Sequence, residues 1–158
     1  MSEAAPPPHT ATAPAAAVAW ADPARASAFN AWLAPVAAAH QLLPGSLRIA
    51  SADASFRRYL RIDAAAGGTR IIMDAPPEHE NCAPFVHVAA LMHGAGLRAP
   101  EVLAWDQPQG FMLLSDLGTR TMIEAVNADD PAASRPLYEA ALDVLLPWQQ
   151  ASRPGQLP

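Results

Sequence analysis

The chain has 158 residues, of which 51% are hydrophobic and 16% charged, and a formal net charge of -5. That length suits one domain and excludes a conventional two-domain enzyme, and the apolar share excludes wholesale disorder. The mild acidity, with a pI of about 5.4, excludes a nucleic-acid binder whose affinity comes from a broad basic surface.

Residues 1–20 come first and are rich in Ala and Pro. They carry Glu3, Pro6-Pro7-Pro8 and no basic residue, which reads as a flexible arm rather than a targeting signal. Asp22-Pro23 then starts a helix: the aspartate caps free amides, and proline at the first helical position loses no hydrogen bond. Phe29, Trp32, Leu33 and Val36 recur on one face of it, and Pro35 predicts a kink or stop. Pro44-Gly45 signals a turn. Three strands follow, Ser46 to Ser51, Phe56 to Ile62 and Arg70 to Asp74, with Gly67-Gly68 turning between the last two. Alternation puts Phe56, Arg58, Leu60 and Ile62 on one face and Arg57, Tyr59 and Arg61 on the other.

Pro76-Pro77 breaks the sheet, and Asn81 caps a helix through Phe85, Val88, Ala89 and Met92 that ends at Gly94 or Gly96. Val102 to Trp105 and Phe111 to Leu114 are strands around the turn Gln107-Pro108-Gln109-Gly110. Asp130-Pro131 opens a last helix with Leu137, Ala141, Val144 and Leu145 on one face, and Pro147 should end or bend it. The order predicts an α+β fold: a five-stranded antiparallel sheet with one helix inserted after the third strand.

Three stretches carry a resemblance: Ala52-Asp53-Ala54-Ser55-Phe56-Arg57-Arg58-Tyr59, Ile72-Met73-Asp74-Ala75-Pro76-Pro77-Glu78, and Phe111 through Arg120. They resemble the aminoglycoside-phosphotransferase-like kinases, and within them the bacterial kinases of the anomeric hydroxyl of N-acetylmuramate and N-acetylglucosamine. The resemblance runs from about Phe29 to Gln150. It implies a kinase-like N-terminal lobe over residues 21–118, with 119–158 starting a C-terminal lobe that the chain lacks. In such a lobe the turn between the first two strands covers the nucleotide phosphates, and the segment after the fifth strand holds the adenine. The matching residues are Ser51, Ala52, Asp53, Ala54, Ser55 and Phe56 for the turn, and Leu114, Ser115, Asp116 and Leu117 for the hinge. Arg57, Arg58 and Asp74 join them as nucleotide-site candidates. The implied cofactors are ATP and Mg²⁺, the implied partners an amino sugar and the absent lobe, and neither nucleic acid nor membrane is expected. The implied activity is ATP-dependent sugar phosphorylation in cell-wall recycling. The rivals are the same chemistry on another alcohol, such as an aminoglycoside or a choline-like compound, and a non-catalytic nucleotide-binding module.

The chain departs from the family pattern in three ways. Ala52 stands where relatives have glycine, which restricts close backbone approach. All ten basic residues are arginine, so the usual lysine of the third strand is absent, and the helix from Phe85 to His93 holds no acid to pair with it. Arg57, Arg58 and Arg61 are the candidate replacements, against a plain reading as arginines on an exposed strand face. Lastly, no His-Gly-Asp segment occurs, only His93-Gly94-Ala95, so the catalytic base and the magnesium ligands are expected in the absent lobe. The chain alone is therefore expected to be inactive.

The remaining polar residues admit plainer readings. Asp74, Glu78, His79 and Glu80 form either a metal or substrate site or a solvated loop. Asp116 either contacts the ribose or the hinge backbone, or caps a helix beginning near Thr119. Trp32, Trp105 and Trp148 read as core or lobe-interface packing, and Trp20 as exposed beside the arm. Cys82 is the only cysteine, which rules out an internal disulfide and makes the cytoplasm the simplest setting. Its place at a helix start would lower its pKa, although an incidental thiol is the plainer reading.

Overall fold

The computed structural model describes residues 18–52 and 56–157. Helix α1 (Pro23–Ala39) is followed by β1 (Leu42–Ala52), β2 (Arg58–Ala64), β3 (Thr69–Asp74), α2 (Ala83–Gly94), β4 (Val102–Asp106), β5 (Phe111–Ser115), α3 (Met122–Ala125) and α4 (Pro131–Ala151). The five strands form one antiparallel sheet in the order β1-β2-β3-β5-β4. The predicted α+β layout is therefore present, with α2 inserted between β3 and the β4–β5 hairpin. Three predicted strands grow by one residue at one end, to Thr69, Asp106 and Ser115, and the second shifts from Phe56–Ile62 to Arg58–Ala64.

Period-two alternation and register together assign the two faces of the sheet. The rows Leu60–Ile72–Leu113 and Arg58–Asp74–Phe111 cross β2, β3 and β5 on one face. The rows Arg61–Ile71–Leu114 and Tyr59–Met73–Met112 cross on the other. Helix α1 covers the first face: Phe29, Trp32, Leu33 and Ala37 pack with Leu60, Ile62, Ile72, Phe111 and Leu113. The ring of Phe111 meets Phe29 at 5.5 Å and Trp32 at 5.4 Å between centroids. The start of α2 covers part of the second face, where Cys82, Phe85 and Val86 pack around Met73, Met112 and Leu114.

Four expectations need correction. Pro35 does not end α1, which continues to Ala39. Ala31, whose carbonyl proline leaves without an amide, is exposed to water, while Trp32, Leu33 and Ala37 hold the helix to the sheet on both sides of Pro35. Pro147 likewise lies inside α4, which runs on to Ala151, and the carbonyl left without an amide there belongs to exposed Asp143. The Pro44-Gly45 turn lies within β1 instead of before it. The strand advances from Leu43 to Arg48 while β2 advances only from Asp63 to Arg61. This bulge is patched by Ser46, whose hydroxyl donates to the Leu43 carbonyl at 2.6 Å and accepts from the Asp63 amide at 2.8 Å. Finally, Trp20 is half-buried: its ring lies 4.8 Å from Phe29, and the Arg58 guanidinium sits 3.9 Å above it.

Candidate functional site

A cleft of about 440 Å³ opens on the sheet face that α2 partly covers. Its floor is the row Arg61–Ile71–Leu114, with Tyr59 beside it, and Ala50 and Ser51 of β1 form one edge. Phe85 of α2 and Pro100 form a second wall, and the linker from Ser115 through Thr119 closes the third. The lining is predominantly apolar, with polar groups concentrated on the linker.

Asp116 fixes that linker. Its carboxylate accepts from Arg61 Nε at 2.6 Å and Nη2 at 3.2 Å, from the Thr69 hydroxyl at 2.5 Å and from the Gly118 amide at 2.8 Å. Arg61 Nη2 also donates to the Gly118 carbonyl at 3.2 Å. Burial by itself would raise this carboxyl, but the Arg61, Thr69 and Gly118 donors outweigh it and hold the pKa down to about 2. The expectation that Asp116 caps a following helix is corrected by α3. That helix begins after Thr121, whose amide and hydroxyl both donate to the Glu124 carboxylate, at 2.7 Å and 2.9 Å.

The structure divides the sequence candidates between the two faces. Ser51, Leu114, Ser115, Asp116 and Leu117 line the cleft together. Arg58 and Asp74 do not join them: their row faces α1. Asp74, with a side chain only 6% exposed, accepts from Arg25 Nε and Nη2 at 3.0 Å and 2.7 Å and from Arg58 Nη2 at 2.8 Å. Arg25 further donates to the Gln109 carbonyl at 2.6 Å and lies 3.9 Å over the Phe111 ring. Arg58 donates to the Ala19 carbonyl at 2.8 Å. This hub ties the start of the described chain, α1, β2 and β3 together. Sequence reading missed Arg25; the same helical period that put Phe29 on the packing face offered the signal, since Arg25 lies four residues before it.

Asp53, Ala54 and Ser55 lie outside the described residues. Ala52 ends β1 opposite Arg58. Phe56 is 65% exposed and stacks on His79 at 4.4 Å, with the rings 19° apart. Arg57 Nε donates to Glu80 Oε2 at 3.0 Å. The loop from Asp74 to Glu80 is therefore not simply solvated: both its end carboxylates are paired with arginines. Among the described residues, no group of three or more His, Cys, Asp or Glu side chains is arranged to hold a metal ion. Cys82 is buried, and that burial pushes its thiol pKa up, the reverse of the lowering expected at a helix start. No described helix is long and apolar enough to cross a membrane.

Comparison with known proteins places the chain in a family. Residues 46–158 match the phosphotransferase enzyme family. The chain is 47% identical over 117 residues to an N-acetylmuramate/N-acetylglucosamine kinase of Pseudomonas aeruginosa, covering 73% of this chain and 33% of the relative. It is 46% identical to the protein of that name from Pseudomonas putida, covering 72% of this chain and 32% of the relative. It is 38% identical to that from Neisseria meningitidis, covering 71% and 33%. The chain thus spans about a third of the length of the curated relatives it matches.

Proposed function

The chain belongs to the phosphotransferase enzyme family, and on that premise we propose that its cleft binds ATP as the nucleotide lobe of an amino-sugar kinase. The acceptor on this reading is the anomeric hydroxyl of N-acetylmuramate or N-acetylglucosamine, and the setting is cytoplasmic recycling of cell-wall sugars. The observation that carries the reading is the cleft itself. Its apolar floor of Ile71 and Leu114 runs into a linker held in place by Arg61 and Asp116. A flat purine suits the floor, and the linker backbone supplies hydrogen-bonding groups at its edge. The cleft volume of about 440 Å³ falls within the usual range for small-molecule sites, about 300 to 1,000 Å³.

The residues described here do different work in that scheme. Ile71 and Leu114 exclude water from the base, and Asp116 positions the linker through Arg61 instead of contacting the ribose. The phosphates lie toward the Ser51 end of the cleft. Magnesium would neutralise phosphate charge during transfer, but the described residues present no ligand set for it, since Asp116 and Asp74 are both engaged by arginine. On this reading, activation of the sugar hydroxyl and the choice of acceptor fall to the part of the relatives' length that this chain does not match.

Calorimetric titration tests the nucleotide reading. ATP and adenosine should both bind the chain saturably, and Ile71→Glu, which puts a carboxylate into the base slot, should weaken both by about tenfold or more. Failure of the unaltered chain to bind either compound overturns the reading. Binding that Ile71→Glu leaves intact, in a variant with an unchanged melting curve, moves the nucleotide out of this cleft.

A further inference from the structure

The third strand offers the cleft face Thr69, Ile71 and Met73, none of them cationic, and Met73 is fully buried among Cys82, Met112 and Leu114. No cation can reach a nucleotide from there. The next strand does better. Register puts Arg61 on the cleft face of β2, and Arg57 has the same parity just before the strand begins. Arg58 has the opposite parity, and Asp74 holds it on the α1 side.

The two cleft-face arginines differ in position and engagement. Arg61 is 15% exposed and bonded to Asp116 and Gly118 at the linker end. Arg57 sits at the opposite end, one residue before β2. Glu80, at the approach to α2, accepts from its Nε at 3.0 Å, the two side chains being 28% and 15% exposed. The Tyr59 phenol, which lines the cleft, is a second hydrogen-bond partner of Arg57. Phe85 and Pro100 border both the cleft and the groove beside Arg57, so the two spaces adjoin.

A guanidinium recognises phosphate as a planar fork, and its use depends on the plane being set in advance. Glu80 on Nε and Tyr59 beside it set that plane. We propose that Arg57, positioned by Glu80, is the cation that takes the nucleotide phosphates in place of a strand lysine and its helix glutamate. The acid comes from the loop before α2, and the cation from the start of β2, so the pair bridges the same two layers by another route. The inference rests on the reading of the cleft as a nucleotide site.

The test compares ATP with adenosine, which lacks phosphates, on the 158-residue chain in magnesium-free buffer. Arg57→Ala should weaken ATP by about tenfold or more and leave adenosine within about twofold. Arg57→Lys should recover part of the loss, because charge returns without the fork. Glu80→Gln should weaken ATP by a smaller factor, again without moving adenosine, as fits a positioning residue. Equal weakening of ATP and adenosine by Arg57→Ala and Arg57→Lys, or no effect on either ligand, overturns the assignment while the cleft reading stands. If the unaltered chain binds neither ligand, the cleft reading falls, and this inference falls with it.

Discussion

At Asp116 four donor groups converge on one carboxylate: two nitrogens of Arg61, the Thr69 hydroxyl and the Gly118 amide. Its pKa of about 2 against an ordinary 3.8 means that the folded form binds the proton more weakly than the unfolded form does. The resulting stability is complete above the ordinary value and is lost as pH falls through about 2. A shift of that size corresponds to about 2 kcal/mol. Denaturant unfolding followed between these two pH values should show a slope in the unaltered chain that Asp116→Asn abolishes. Above that window Asp116→Asn should itself cost about 2 kcal/mol or more, since Arg61 is left without its counter-charge in a mostly buried place. Parallel profiles for the two proteins would mean that the linker is not held electrostatically. On the other face two arginines, Arg25 and Arg58, converge on Asp74. Sequence reading set both acids among the nucleotide-site candidates, with a helix cap as the alternative for Asp116; motif matching registers which acids occur but not which cations they meet. The helical period puts Arg25 on the packing face of α1, but nothing in the sequence names Asp74, 49 positions on, as its partner.

Strands were the most legible elements, because alternation and the Gly67-Gly68 turn are local signals. The division of β2 into an α1 face and a cleft face follows directly from period two, and it separates Arg58 from Arg57 and Arg61. The order β1-β2-β3-β5-β4 was not legible, since it depends on where the chain returns after α2. The helical prolines were misleading for a related reason: proline removes one hydrogen bond locally, while packing along the whole face of α1 decides whether the helix continues. The junction that sets the return is Gly110. Its φ is +71°, and a Cβ there would lie 1.9 Å from the Ala75 carbonyl oxygen, which is backbone and cannot yield. Ala75 donates to the Gly110 carbonyl at 2.9 Å, so the end of β3 and the β4–β5 turn are in direct contact. Gly110→Ala should therefore destabilise by about 3 kcal/mol or more. Gly45→Ala, which meets nothing within 4 Å, is the control and should stay within about 1 kcal/mol. Equal melting temperatures for the two variants would show that the junction opens easily, and with it the wall of the sheet beside α2.

Over the whole molecule, apolar surface is divided unevenly. The sheet buries its rows on both faces, whereas on α4 only Ser134 is buried among the described residues. Leu142 is 58% exposed, Leu146 55% and Leu145 43%. The sequence pattern of Leu137, Ala141, Val144 and Leu145 anticipated an apolar face, but a pattern cannot say whether anything covers it. Contiguous apolar surface of this kind favours association because covering it releases about 25 cal/mol per Å². For the purified chain, the matching surface in greatest supply is α4 of another copy. Sedimentation should therefore show an associating species whose average mass rises with concentration. The paired substitution Leu142→Glu and Leu145→Glu should lower that mass toward the monomer, and thermal unfolding of the sheet should be unchanged, since α4 lies outside both cores. A monomer at all concentrations would show that this helix is tolerated bare. Association that survives the paired substitution would place the contact elsewhere, with the exposed Ile123 of α3 as the next surface to alter.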